Sequence, residues 1–191
     1  MRQNNNSSGS VWILLSGGID SAACVAFYLE ENFFVQCLFI DYGQTAAKRE
    51  ALSARVIAKR YNVSLSSIKW SGLRMKNAGF ISGRNAFLLL AALMEIPKDA
   101  GILAIGVHSG TNYYDCSPAF FHKMQSIFDS YTKGIIQIGT PFLKWTKRDI
   151  WSFCKSKKVP VELTYSCELG LEQPCGKCLS CHDLEILNAC T

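Results

Sequence analysis

The chain has 191 residues, of which 49% are hydrophobic, and its formal net charge is +5. This length suits one domain with at most a small appendage, and the hydrophobic share is enough for a substantial core. No apolar run is as long as a membrane span, and the mild positive charge permits anionic ligands such as nucleotides without any strong signal for nucleic acid.

The first ten residues, MRQNNNSSGS, are polar and low in complexity. They lack the apolar core of a signal peptide, so we predict a disordered lead-in over residues 1–10 and a cytoplasmic location. Residues 11–160 are predicted to form one domain.

A short apolar strand is predicted over residues 11–15, before the sequence Ser-Gly-Gly-Ile-Asp-Ser and a helix that begins at Asp20. Adjacent glycines let the backbone turn tightly, and the free N–H groups of such a turn lie at the positive end of the helix. The hydroxyls of Ser16 and Ser21 add donors. We therefore predict a phosphate-binding loop over residues 16–21, with one alternative: an ordinary turn in which Asp20 and Ser21 cap the helix.

Strand and helix patterns alternate along the rest of the domain. Further strands are predicted over residues 34–40, 63–68, 102–107 and 135–138, and helices over residues 45–61, 85–95, 118–133 and 146–157. The helix over residues 85–95 is apolar nearly all round and is expected to be buried. Irregular loops are predicted over residues 70–82 and 108–117.

This alternation predicts an α/β fold. We expect a Rossmann-like, doubly wound parallel sheet of about five strands with helices on both faces. Ligands of such sheets bind outside the carboxyl ends of the strands. The loops that follow four of the strands are therefore expected to line one crevice, and they begin at Ser16, Asp41, His108 and Thr140.

Four of the nine cysteines crowd into one short stretch: Cys167, Cys175, Cys178 and Cys181. Four thiolates in a tetrahedral set select zinc or an iron–sulfur cluster, and we favour structural zinc because nothing else in the sequence suggests electron transfer. His182 is a competing ligand only if one cysteine is not used. The predicted consequence is a zinc-binding tail, residues 161–191, which the metal folds against the main domain.

Four motifs in combination resemble those of the 7-cyano-7-deazaguanine synthases (QueC-like), which are N-type ATP pyrophosphatases of the adenine nucleotide alpha hydrolase-like superfamily. The motifs are S-G-G-x-D-S at residues 16–21, D-Y-G-Q at residues 41–44, G-R-N at residues 83–85 and C…P-C-G-x-C-x-x-C at residues 167–181. The similarity covers residues 11–187, nearly the whole chain, and it is the combination that is specific.

The resemblance implies an ATP-dependent carbon–nitrogen ligase of queuosine biosynthesis. In that class, the carboxylate of 7-carboxy-7-deazaguanine attacks the α-phosphate of ATP, and ammonia then displaces AMP from the acyl adenylate. The product is an amide, which a second activation and dehydration convert to the nitrile. The resemblance also implies Mg²⁺ on the ATP phosphates, structural Zn²⁺ and a homodimer.

The resemblance assigns three roles to residues of this chain. ATP is expected to contact Leu15, Ser16, Gly17, Gly18, Ile19, Asp20, Ser21, Asp41 and Gln44. The expected catalytic residues are Asp20, which could also help to hold Mg²⁺, Arg84 and Lys147. The expected substrate contacts are Arg84, Asn85, Tyr113 and Asp115. The simpler alternatives are a helix cap for Asp20, a solvated lysine for Lys147 and a turn-forming aspartate for Asp115.

The stretch from His108 to Cys116 is shorter than its counterpart in the family, and only Tyr113, Asp115 and Cys116 align with it. The acyl substrate and the amine acceptor therefore stay open. One alternative function is a QueC-like anti-phage defence enzyme that transfers the activated deazaguanine to a protein or peptide amine. Another is a nucleotide-binding module without turnover.

Overall fold

The structure is a computed structural model, which describes residues 9–72, 80–110 and 113–189. The strands are β1 (Ser10–Leu14), β2 (Phe34–Asp41), β3 (Ser64–Lys69), β4 (Ile102–Ala104) and β5 (Gln137–Gly139). The helices are α1 (Ile19–Glu30), α2 (Ala47–Tyr61), α3 (Arg84–Glu95), α4 (Pro118–Thr132), α5 (Lys147–Ser156) and α6 (Leu179–Ala189). Most of the predicted lead-in and parts of the loops predicted over residues 70–82 and 108–117 lie outside the described residues.

The five strands form one parallel sheet in the order β3-β2-β1-β4-β5. The chain runs outward from β1 to β3 on one side and then returns to place β4 on the other side of β1. This reversal makes the gap between the ends of β1 and β4 the switch point at which such sheets bind ligands. The predicted α/β fold with a sheet of five parallel strands is confirmed.

Helices cover both faces of the sheet because successive strand residues point to opposite sides. On one face, Val11 and Ile13 of β1 pack with residues of α1, α2 and α5. On the other face, Trp12 and Leu14 pack with residues of α3 and α4. Two apolar cores therefore hold the sheet from both sides and fix the strand ends that carry the site.

The prediction that the third helix is buried all round is wrong. Leu89 and Ala92 of α3 are buried, whereas Met94 is 77% exposed and Leu90 is also exposed. The reason is that α3 contacts the sheet with one side, and no described element covers its outer side.

Two helix starts have the capping residues that their sequences favour. Ser117 accepts a hydrogen bond from the N–H of Phe120, and Pro118 is the first residue of α4, where its missing N–H costs nothing. Thr146 caps α5 in a capping box with Asp149. These caps fix where α4 and α5 begin.

The tail contains a helix, α6, that the sequence patterns did not predict. Leu187 of α6 is buried in the core on the α1 side of the sheet, and Leu184 packs against that core. This packing supports the proposal that the tail and residues 11–160 form one unit. Within the part of the chain that the structure describes, no helix is both long and apolar enough to cross a membrane.

Candidate functional site

One cavity of about 650 Å³ opens at the carboxyl ends of β1, β2 and β4. Twelve residues that the sequence singled out for ATP or substrate line it: Leu15, Ser16, Gly18, Ile19, Asp20, Ser21, Gln44, Arg84, Asn85, Tyr113, Asp115 and Lys147. The cavity lies at the predicted switch point and is large enough for a small-molecule ligand.

Two of the residues expected to bind ATP, Gly17 and Asp41, are not in the cavity lining. The Asp41 carboxylate accepts a hydrogen bond from the N–H of Gly43 at 3.0 Å and lies 3.9 Å from the amine of Lys69. The expectation that the loop at Thr140 lines the same crevice is wrong, because β5 is an edge strand separated from β1 by β4.

The predicted phosphate-binding loop, residues 16–21, is held by hydrogen bonds of its own serines. Ser21 Oγ donates a hydrogen bond to the carbonyl of Gly18 at 2.8 Å, and Ser16 Oγ donates to Ser21 Oγ at 3.2 Å. Gly18 is the residue at the N-cap of α1, and no side chain caps that helix. The alternative that Asp20 or Ser21 caps α1 is therefore wrong, and the N–H groups of its first turn remain available to an anion.

The backbone at position 17 requires glycine. Its φ is +85°, and a Cβ built on it would lie 2.7 Å from the carbonyl oxygen of Glu50. Its own carbonyl accepts hydrogen bonds from the N–H of Tyr165 at 2.9 Å and from Ser53 Oγ at 2.8 Å. The loop is thus fixed from behind by α2 and by the tail.

Asp20 and Lys147 form an ion pair at the edge of the loop. The Lys147 amine lies 2.6 Å and 2.7 Å from the two carboxylate oxygens of Asp20. The contact joins the first turn of α1 to the first turn of α5, although the two residues are 127 positions apart. Lys147 is therefore not simply a solvated lysine, and it puts a cation beside the phosphate-binding loop.

His108 lies on the other side of Asp20. Its Nε2 is 3.8 Å from the Asp20 carboxylate, and its Nδ1 accepts a hydrogen bond from the N–H of Gly110 at 3.0 Å. Burial lowers the pKa of His108; the Asp20 carboxylate opposes this shift, and Lys147 adds to it. The sequence marked His108 only as the start of a loop, since no motif pairs it with Asp20.

A network of hydrogen bonds closes the β2 side of the cavity. Gln44 Nε2 donates to the carboxylate of Glu50 at 2.7 Å and to the carbonyl of Ile40 at 3.2 Å. Its Oε1 accepts the N–H of Tyr42 at 2.9 Å. Burial raises the pKa of both Tyr42 and Glu50, and Arg84 lies close enough to oppose both shifts.

Arg84, Asn85 and Asp115 are brought together in the cavity lining. Asn85 is buried, and its Nδ2 donates to the carbonyl of Asp115 at 2.9 Å. The N–H of Asn85 donates to the carboxylate of Asp115 at 3.3 Å. The G-R-N motif at the start of α3 therefore positions the Asp115 carboxylate, which is more than a turn-forming group. Phe80 and Tyr113, which also line the cavity, stack with ring centroids 4.6 Å apart.

The tail supplies one wall of the cavity, which the sequence did not reveal. The wall residues include Tyr165, Glu168, Ser180 and Asp183. Ser180 Oγ donates to the Glu168 carboxylate at 2.9 Å. No spacing rule connects these residues to the phosphate-binding loop, so only the folded chain brings them to it.

The four predicted cysteine ligands converge. The Sγ atoms of Cys167, Cys175, Cys178 and Cys181 all lie within 4.8 Å of one another, and Cys175 Sγ is 3.9 Å from Cys181 Sγ. A tetrahedral zinc with Zn–S bonds of 2.3 Å holds its sulfurs about 3.8 Å apart. The set therefore fits a metal ion such as Zn²⁺, and His182 is exposed beside it.

The environment of the cysteines affects their ionisation unequally. Burial opposes ionisation of Cys167, but hydrogen bonds from the backbone of Cys175 and Leu169 outweigh it and lower its pKa to about 6. Backbone hydrogen bonds from Lys177 and Cys178 also lower the pKa of Cys175, whereas burial raises the pKa of Cys181 to about 12. Thiolate, the form that binds metals, is thus favoured at two of these ligands.

Solved structures of low sequence identity share the fold. The structure of NH3-dependent NAD synthetase from Campylobacter jejuni matches with a TM-score of 0.52 and 19% identity, over 83% of this chain and 68% of that one. A predicted subunit of tRNA methyltransferase from Methanocaldococcus jannaschii matches with a TM-score of 0.51 and 18% identity, over 78% of this chain and 76% of that one.

Several curated protein sequences are more similar to this chain in sequence than these solved structures are. A 7-cyano-7-deazaguanine synthase of Prochlorococcus marinus (strain MIT 9215) is 31% identical over 90% of both chains. One of Picrophilus torridus is 33% identical over 88% of this chain and 82% of that one. The family described as queuosine biosynthesis protein QueC matches residues 10–78 and 74–185. The match extends over the phosphate-binding loop, the G-R-N motif and all four converging cysteines, and the chain therefore belongs to the QueC family.

Proposed function

We propose that the protein is an ATP-dependent ligase that adenylates the carboxylate of 7-carboxy-7-deazaguanine and converts it to an amide, and onward to 7-cyano-7-deazaguanine. The curated relatives are named 7-cyano-7-deazaguanine synthases, which supports a QueC-like role in queuosine biosynthesis. The observation that carries the proposal is that the predicted phosphate-binding loop lines the same cavity as Arg84, Asn85 and Asp115.

A carboxylate is a poor acyl donor until one of its oxygens becomes part of a phosphate leaving group. The adenylation forms a bond between a carboxylate oxygen and the α-phosphorus of ATP and breaks the bond to the pyrophosphate. The N–H groups of the loop and of the first turn of α1 would bind the departing pyrophosphate. Lys147 contributes a positive charge beside it, and fixed charges of this kind stabilise the transition state.

Mg²⁺ would neutralise further phosphate charge when bound. Its oxygen ligands in proteins are carboxylates and phosphates, and the Asp20 carboxylate at the loop, which also pairs with Lys147, is a group of this chain that would hold it. Arg84 at the start of α3 would orient the carboxylate of the base. The Asp115 carboxylate would accept hydrogen bonds from the N–H groups on the pyrimidine edge of the deazaguanine.

The test is product analysis of the zinc-replete protein with ATP, Mg²⁺ and 7-carboxy-7-deazaguanine, with and without ammonia. AMP together with the amide or the nitrile, detected by mass spectrometry, is the expected result. Release of pyrophosphate with an acyl adenylate that ammonia does not consume would favour a protein or peptide amine as the acceptor. ATP that remains intact would contradict the proposal. A homodimer and a cytoplasmic location remain predictions.

A further inference from the structure

Glu50 is a cavity carboxylate that none of the family motifs includes. It lies in the first turn of α2, is partly buried, and lines the same cavity as Ser16, Arg84 and Lys147. Its Oε2 accepts a hydrogen bond from Gln44 at 2.7 Å. This bond fixes the position of a carboxylate that lines the cavity.

Glu50 has no close ion-pair partner among the residues that the structure describes. Within the described ranges of the chain, no lysine, arginine or histidine forms an ion pair with it inside 4.0 Å. Arg84 favours its charged form electrostatically, and the negative charge of Asp41 opposes ionisation. A partly buried carboxylate without a cation is costly, so a small cation in the cavity would be stabilised beside it.

The other acidic groups of the cavity are engaged differently. Asp20 has both oxygens on Lys147, Glu168 accepts the hydroxyl of Ser180, and Asp115 accepts the N–H of Asn85. Asp183 is exposed. Glu50 combines a position fixed by Gln44 with partial burial that raises its pKa, and these are the properties of a proton acceptor.

We propose that Glu50 binds the ammonium ion that the ligase consumes and removes one of its protons. The loss of this proton converts ammonium to ammonia, which is the nucleophile. This inference rests on the proposed function. One N–H proton passes to the Glu50 carboxylate, and the freed lone pair forms the C–N bond to the acyl carbon. The C–O bond to AMP breaks, and its electron pair leaves with AMP. The second proton that the nitrogen loses in forming the amide goes to solvent.

The test compares wild type, Glu50→Gln and a control, Glu172→Gln, in three assays. Glu172 is an exposed surface residue that pairs with Arg49 outside the cavity, so its variant makes the same chemical change elsewhere. The assays are acid-dependent exchange of pyrophosphate into ATP, amide formation from ammonium, and hydroxamate formation from hydroxylamine. Hydroxylamine is mostly uncharged at neutral pH and does not need to lose a proton before it attacks.

We expect Glu50→Gln to lower amide formation about 100-fold while exchange and hydroxamate formation stay within about threefold of wild type. Glu50→Asp, which keeps a carboxylate, should recover part of the ammonium reaction and serves as a check on folding. An equal loss in all three assays would mean that Glu50 positions Arg84 or supports the fold, and would overturn the inference. Absence of exchange in wild type would instead refute the proposed adenylation itself.

Discussion

Asp20 and Lys147 join the first turns of α1 and α5 beside the proposed nucleotide site. Their side chains are 22% and 25% exposed, so the ion pair is partly shielded from water, and its contact distance is 2.6 Å. Removal of the lysine would leave a partly buried carboxylate beside the phosphates of ATP. A charge of the wrong sign at that position opposes binding of ATP and departure of pyrophosphate.

We therefore expect Lys147→Met to lower acid-dependent pyrophosphate exchange about 100-fold. Lys144→Met is the matched control, because Lys144 is exposed and lies three positions earlier in the chain. Equal exchange rates in the two variants would show that the lysine beside Asp20 does not act on the nucleotide.

Gly17 gives a second prediction at the scale of single residues. Gly17→Ala places a Cβ in a left-handed backbone and against the carbonyl oxygen of Glu50. Gly134 also has a positive φ, of +76°, but a Cβ built on it meets nothing within 4 Å. Gly17→Ala is expected to lower the free energy of unfolding by about 1–3 kcal/mol more than Gly134→Ala in urea denaturation. A smaller cost than that of Gly134→Ala would mean that the loop can move away from α2.

At the scale of elements, α5 depends on its capping box. Thr146→Ala removes two hydrogen bonds that involve the Thr146 hydroxyl, one to Asp149 Oδ2 at 2.7 Å and one from the N–H of Asp149 at 3.2 Å. We expect the free energy of unfolding to fall by about 1 kcal/mol at neutral pH. Ser156→Ala, at the other end of the same helix, should cost less.

The pH dependence of that cost has a definite sign. The hydrogen bonds from Thr146 hold the pKa of Asp149 below its ordinary value. The stabilisation is therefore present above the ordinary pKa of an aspartate and is lost as the pH falls through the lowered pKa of the folded state. Urea midpoints of Thr146→Ala and wild type should approach each other as the pH is lowered through this range, and a constant difference would contradict the role of Asp149.

The tail depends on its four cysteines. We expect one zinc ion per chain and a loss of both zinc and thermal stability in Cys178→Ser, because three ligands no longer close the site. Cys116→Ser is the control, since Cys116 lies near Asn85 and away from the four sulfurs. The measurements are metal analysis and thermal denaturation. An undiminished zinc content in Cys178→Ser would exclude Cys178 as a ligand. Iron in place of zinc in the wild-type protein would refute the assignment of the metal.

At the scale of the whole molecule, the sequence predicted what depends on local patterns. Alternating strand and helix patterns predicted the sheet, and Pro118 and Thr146 marked two helix starts correctly because capping is a local interaction. The cysteine spacing predicted a set of sulfurs that the fold brings within 4.8 Å. These features can be predicted because they depend on residues that are close in the chain, or on the strong preference of cysteine thiolates for a metal.

The features that were missed depend on contacts between distant segments. The prediction that α3 is buried failed because hydrophobic periodicity does not reveal how many sides of a helix pack against other elements. Met94 lies on a side that stays exposed. The wall formed by Glu168 and Asp183 follows from the return of the tail to the phosphate-binding loop, where Tyr165 donates to Gly17. Glu50 enters the cavity for a similar reason, as α2 packs behind that loop.

The central claim is that this cavity activates a deazaguanine carboxylate with ATP. The most direct measurement is exchange of labelled pyrophosphate into ATP with Mg²⁺ and 7-carboxy-7-deazaguanine in the absence of ammonia. We predict exchange that depends on the acid and disappears when 7-deazaguanine without the carboxylate replaces it. Exchange that is independent of the acid, or no exchange with tight binding of ATP, would contradict the claim and favour a nucleotide-binding module.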